Sequence, residues 1–213
     1  MRILLILSTL LFGAVVMAAD DDPARVSLDR FTRGLETLRA DFTQRVITPD
    51  GEVESEGGGE VWLRTPGQFR WAYGGAYPEL IVADGEYLWM YDEMLDQVTV
   101  KRQSAQAEDS PLMLLTNPDA LDSQFTATEV GDYEGMTLLS LVSNNPESEF
   151  ETVLLGFSED QLALMALEDA FGLRTEVRFS GVQRNLELDS ELFRFEPPAG
   201  ADVVGDIPGA DQQ

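Results

Sequence analysis

The side chains here that could do chemistry are almost all carboxylates. Among 213 residues there are 39 aspartates and glutamates, 14 lysines and arginines, and neither histidine nor cysteine. Without imidazole or thiol there is no hydroxyl or thiol nucleophile activated by imidazole, no zinc site built on those ligands and no disulfide. Carboxylates alone can split a glycosidic bond, which takes two acids at a set separation. With so many acids such pairs arise by chance, and none stands out by spacing. The run Asp20-Asp21-Asp22 lacks the acid–glycine–acid spacing of a calcium loop and reads as an acidic N-terminal stretch. No glycine-rich phosphate loop precedes a helix. The expectation is a protein that is not an enzyme and takes no cofactor or metal.

The apolar residues are more informative. Phe69, Trp71 and Tyr73 alternate along one strand, and Tyr87, Trp89 and Tyr91 along another. Leu88 and Met90 make the second face of the latter strand apolar as well, so both of its sides must be covered. Further on, Ser110-Pro111 is a good helix start, followed by Leu112, Met113, Leu114 and Leu115. A helix apolar all round must pack on something.

These residues need a scaffold. Leu28, Phe31, Leu35 and Leu38 have helical spacing and predict an amphipathic helix over residues 27–38. Period-2 segments then dominate: residues 40–47, a turn at Asp50-Gly51, and a return strand through Gly57-Gly58-Gly59 to Leu63, where the glycines suggest a bend. The aromatic strands follow. After the helical insertion and a short helix from Pro118, strands are expected at residues 125–130, 136–142, 150–157, 161–168, 174–182 and 192–195. About ten to eleven antiparallel strands form one mainly β domain, residues 20–213. A barrel of that size has an interior too wide for its own side chains to fill easily. Covered by the short helix and the first helix, it makes a cavity with a lid.

Ahead of this domain, Met1-Arg2, an apolar run to Val16 and the small residues before Asp20 read as a secretory signal peptide cleaved after Ala18 or Ala19. The apolar run is too short to span a bilayer. Lacking cysteine, the chain has no site for the acylation that anchors bacterial lipoproteins. The formal charge of −25 repels nucleic acid and anionic membranes. It suits either a basic partner or a saline habitat.

Several segments, in order, resemble the LolA family of periplasmic lipoprotein carriers: Pro66-x-x-Phe69-x-Trp71, Ile81-Val82-Ala83-Asp84-Gly85-x-x-Leu88-Trp89-x-Tyr91, Gln97-Val98, Ser110-Pro111-x-Met113-Leu114 and Phe193-x-Phe195-x-Pro197-Pro198. The resemblance implies an unclosed antiparallel barrel with a helical lid over a hydrophobic cavity for acyl chains. It also implies a soluble, monomeric periplasmic carrier with no chemistry of its own. Its partners would be acylated lipoproteins, an ATP-driven inner-membrane release complex and an outer-membrane receptor. Phe69, Trp71, Leu88 and Met90 would form the wall or mouth, and Leu112 to Leu115 the lid. Family members often carry an arginine before the proline that latches the lid. Here Thr65 stands at that position, leaving Thr65, Arg64 and Arg70 as latch candidates. The alternatives are the receptor of the same fold, and an envelope scaffold whose barrel is simply filled.

Overall fold

The computed structural model describes residues 22–103, 118–146, 148 and 150–208. The expected signal peptide and the cluster Leu112 to Leu115 lie outside the described residues. Helix α1, Pro23–Thr32, begins where Asp22 accepts a hydrogen bond from the Arg25 backbone N–H at 3.0 Å. Pro23 has no N–H of its own to be met, and the Ala24 N–H donates to the Glu129 carboxylate at 3.2 Å. The helix stops short of the expected Leu38 because Gly34 adopts φ +64° and turns the chain outward. The Asn185 side chain fixes this exit, accepting from Glu36 N and donating to Gly34 O, each at 2.9 Å. Leu35 and Leu38 are buried all the same, one from the loop and one from the first strand.

The strands are β1 Thr37–Ile47, β2 Val53–Arg64, β3 Gln68–Tyr73, β4 Glu79–Ala83, β5 Tyr87–Asp92 and β6 Gln97–Arg102. After residues 104–117 come helix α2, Pro118–Gln124, and β7 Phe125–Tyr133, β8 Met136–Ser143, β9 Thr152–Ser158, β10 Gln161–Glu168 and β11 Arg174–Arg184. A 3-10 turn, Ser190–Phe193, and β12, Asp202–Gly205, complete the described chain. Residues 192–195, expected as a strand, thus contribute to a turn capped by Asp189, which accepts from Glu191 N at 3.0 Å.

All 12 strands belong to one sheet in the order β12-β6-β5-β4-β3-β2-β1-β11-β10-β9-β8-β7. It is mainly antiparallel, with β12 added parallel to β6, and it is not closed into a barrel. β1 lies in the middle and pairs with β2 on one side and β11 on the other. Because neighbours alternate in direction, the turns fall at two ends. One end, where β1 starts, is next to α1; the other carries the β1–β2, β3–β4, β5–β6 and β10–β11 turns.

The glycine stretch of β2 has a steric reason. A Cβ on Gly59 would lie 1.8 Å from the Ala72 carbonyl oxygen, and one on Gly58 would lie 2.7 Å from the Phe42 carbonyl oxygen. Close approach of neighbouring strands requires glycine at both. The coiled sheet buries its inner face against α1 and α2. Leu28 and Phe31 of α1 and Leu121 of α2 join inner-face residues of β1–β4 and β7–β11 in a single cluster.

Candidate apolar binding site

The inner face is apolar across almost its whole width. Leu38, Ala40 and Phe42 of β1 face it, as do Val61 and Leu63 of β2, and Phe69 and Trp71 of β3. Ala83 and Ile81 of β4 and Leu88 of β5 continue it. Met90 shares that face, because it pairs with Ile81 as Leu88 pairs with Ala83. Thus Phe69, Trp71, Leu88 and Met90 all lie on one face. The first two are buried, at 6% and 4% exposure, and the other two are half-buried. Trp71 packs on Phe42, ring centroids 4.4 Å apart, and on Phe179 at 6.2 Å. Rings lie across β2 where its glycines present no side chains, and Tyr73 stands 3.7 Å from the position of a Cβ on Gly57.

Between Leu38, Val61, Leu63, Leu162, Phe179 and Val182 this face leaves a purely apolar slot of about 10 Å³. Such a slot holds at most about one water, whereas pockets that bury a drug-sized ligand measure roughly 300–1000 Å³. This slot is therefore too small for a guest, and an apolar chain entering there has to displace what packs over the sheet. That covering is α1, which crosses β7–β10, together with α2. Arg25 of α1 donates through both terminal nitrogens to the Asp122 carboxylate of α2, at 2.5 and 3.0 Å. Its Nε reaches Asp29 at 3.1 Å. From the middle and last turn of α1, Ser27 and Arg30 bond Asp160 in the β9–β10 turn at 2.8 and 3.0 Å. The Arg25 guanidinium holds Asp122 below the usual carboxylate range.

The outer face of β4–β6 carries the other aromatic set. Tyr87, Trp89, Val82, Val98 and Val100 form a separate cluster, covered by Phe195, Ala201 and Val203. Trp89 and Tyr91 meet Phe195 with centroids 5.6 and 5.9 Å apart. The Trp89 indole N–H donates to Asp84 at 2.8 Å. So β5 is apolar on both sides because it is covered on both, by the interior and by the C-terminal segment.

Of the latch candidates, Arg64 and Arg70 reach this C-terminal segment. The Arg64 guanidinium lies 4.5 Å from the Phe193 ring centroid, and Arg70 Nη1 donates to Leu192 O at 3.4 Å. Burial pushes the Arg70 pKa down. Thr65 Oγ1 instead donates to the Leu35 and Glu36 carbonyls, at 3.2 and 3.3 Å, where α1 leads into β1. Sequence reasoning missed the Arg25–Asp122 pair, since a contact across 97 positions leaves no local pattern. It also missed β12, whose signal was only Val203-Val204 after a turn at Pro198-Ala199-Gly200.

A family model described as "Outer membrane lipoprotein carrier protein LolA" matches residues 33–196. The chain belongs to the LolA family. For a LolA-family chain the match is well placed, since it takes in β1–β11 and the 3-10 turn, hence both aromatic faces. The chain is 43% identical over 203 residues to an outer-membrane lipoprotein carrier protein of Xanthomonas oryzae pv. oryzae (strain MAFF 311018), covering 94% of this chain and 95% of that one. It is 39% identical over 205 residues to the protein of the same name from Methylococcus capsulatus, covering 96% and 98%. Its fold is similar to that of an uncharacterized conserved protein from Thermus thermophilus, with a TM-score of 0.53 at 18% identity, covering 85% of this chain and 98% of that one.

Proposed function

We propose that this LolA-family protein is a lipoprotein carrier that shelters acyl chains against the inner face of its sheet during transit through the periplasm. Residues 1–19 are removed on export, and the carrier performs no catalysis. The observation that supports this reading is the broad apolar inner face of a sheet not closed into a barrel, covered by the ion-paired helices α1 and α2. At about 0.8 kcal/mol per methylene, acyl chains of ~16 carbons hold a lipoprotein in its membrane far too firmly for spontaneous release. Loading therefore requires an ATP-driven release complex at the inner membrane. Delivery requires an outer-membrane receptor that offers a better site. Between them the carrier must grip only moderately, and displacing α1, α2 and a lid takes up part of the binding free energy. Leu112 to Leu115 belong to that lid. Thr65 steadies the exit of α1, while Arg64 and Arg70 hold the C-terminal segment.

The receptor of the same fold is disfavoured, because lipid anchoring needs a cysteine and the chain has none. Photo-crosslinking from a probe at position 69 in living cells tests the proposal. Acylated lipoproteins should dominate the crosslinked species, and their absence sinks it. An envelope scaffold with a filled interior would neither take up a hydrophobic dye nor release it to an acylated peptide.

A further inference from the structure

Two buried tryptophans of this sheet are treated differently. Trp89, on the outer face, has its indole N–H met by Asp84 at 2.8 Å. Trp71, on the inner face and only 4% exposed, has a buried Nε1 that makes no full hydrogen bond among the described residues, only a weaker approach to the Tyr73 hydroxyl beside it. Buried donors are nearly always paired, so an orphan in a well-packed wall points to a partner that arrives later. A phenylalanine would pack here on Phe42 and Phe179 without that unmet group.

The surroundings of Trp71 show which way a guest would lie. Four strands on this side of the sheet carry polar groups on the inner face toward the turn end, although β1 returns to apolar at Val46. β1 passes from Leu38, Ala40 and Phe42 to Gln44, and β3 from Phe69 and Trp71 to Tyr73. β4 passes from Ala83 and Ile81 to Glu79, and β5 from Leu88 and Met90 to Asp92. Trp71 sits at that boundary. Beside it the Tyr73 hydroxyl donates to Gln44 Oε1 at 2.8 Å, which leaves the amide NH2 of Gln44 as a further donor. At the same end a groove of about 600 Å³ opens between Phe150, Leu167, Phe171 and Thr175. Phe150 and Leu167 also pack on the inner cluster, so the groove adjoins the interior.

We propose that Trp71 Nε1 and the Gln44 amide, positioned by Tyr73, bind the carbonyl oxygens of the ester linkages through which acyl chains are joined to the glyceryl group of their cargo. The cargo then lies with its tails toward the α1 end and its head toward the turn end. The polypeptide part leaves past the groove by Phe150. This rests on the carrier reading and adds a polar contact to an otherwise apolar site.

The test compares a dipalmitoyl-glyceryl-cysteinyl peptide with its dihexadecyl ether analogue, which has the same chain length but no glyceryl ester carbonyls. Both are titrated into the full mature chain. The wild type should bind the ester roughly tenfold more tightly than the ether, as one well-placed buried hydrogen bond would give. In Trp71→Phe the ester-to-ether ratio should fall close to one, whatever loss is common to both ligands. Gln44→Met, which keeps the side-chain length, should lower the ratio as well and serves if Trp71→Phe fails to fold. A ratio near one in the wild type, or one that survives both substitutions, overturns the anchor while leaving the carrier reading intact. If the wild type binds neither ligand, the carrier reading falls and the anchor with it.

Discussion

Tyr73 carries both a packing and a polar duty. Its ring meets Phe42 edge-on, centroids 5.2 Å apart, while its hydroxyl bonds Gln44. Burial, with help from the Glu79 carboxylate, pushes its pKa from 10.0 to about 12. The neutral phenol is thus the form the fold favours. Its contribution to stability is complete below pH 10.0 and is lost as pH rises through about 12. Comparing alkaline unfolding of the wild type and Tyr73→Phe should show a steeper loss above pH 10.0 in the wild type; identical curves contradict the assignment. Close strand contact makes a second prediction at this scale. Gly59→Ala puts a methyl group against the Ala72 carbonyl and should cost about 1–3 kcal/mol, a fall in Tm of roughly 3–10 °C. Gly57→Ala has 3.7 Å of clearance and should leave Tm nearly unchanged. Thermal melts of the pair decide it. Much of this scale was legible in the sequence, because period-2 alternation assigned Phe69, Trp71, Leu88 and Met90 to faces without any coordinates. The unmet N–H of Trp71 was not, since a hydrogen bond depends on what lies across the fold.

Helices α1 and α2 meet through an exchange of charge. The Asp122 side chain is 64% exposed, so solvent screens the pair and its worth is at most about 1 kcal/mol. Such a clasp suits a cover that has to come off. Asp122 is held below its ordinary 3.8 by Arg25. The clasp is therefore intact above that range and weakens as pH falls through it. Asp122→Asn should raise binding of a hydrophobic dye a few-fold at neutral pH and flatten the rise seen when the wild type is acidified. Dye fluorescence against pH reads this directly, and an unchanged profile would sink the clasp. The helix boundary was misjudged from sequence because Leu35 and Leu38 continue the helical spacing by accident. The backbone turn at Gly34 and the bonds from Asn185, supplied from 149 residues away, end the helix first. β12 is short, with one half-buried side chain, Val203, between exposed neighbours, too weak a pattern to read.

The C-terminal segment acts on the molecule as a whole. Phe193, Phe195 and Val203 cover the outer faces of β2–β6, and removing residues 190–213 would uncover Trp89, Val98 and Val100 together. That truncation should lower stability by several kcal/mol, at about 25 cal/mol per Å² of apolar surface uncovered. It should also promote association; a truncated chain that melts like the full one and stays monomeric contradicts this. The net charge of −25 is a property at the same scale. If a basic partner reads it, transfer of cargo should slow as salt rises, as exposed charges do beyond a Debye length. Salt-independent transfer would assign the charge to habitat. The sheet order has a mechanical consequence. In a closed barrel the hydrogen-bonded hoop fixes the girth through strand number and stagger. This sheet ends at β7 on one side and β12 on the other, so no hoop exists. Its girth is set by whatever lies between the wings, and it behaves as a spring clip that can spread for bulkier guests without breaking a single rung of its ladder.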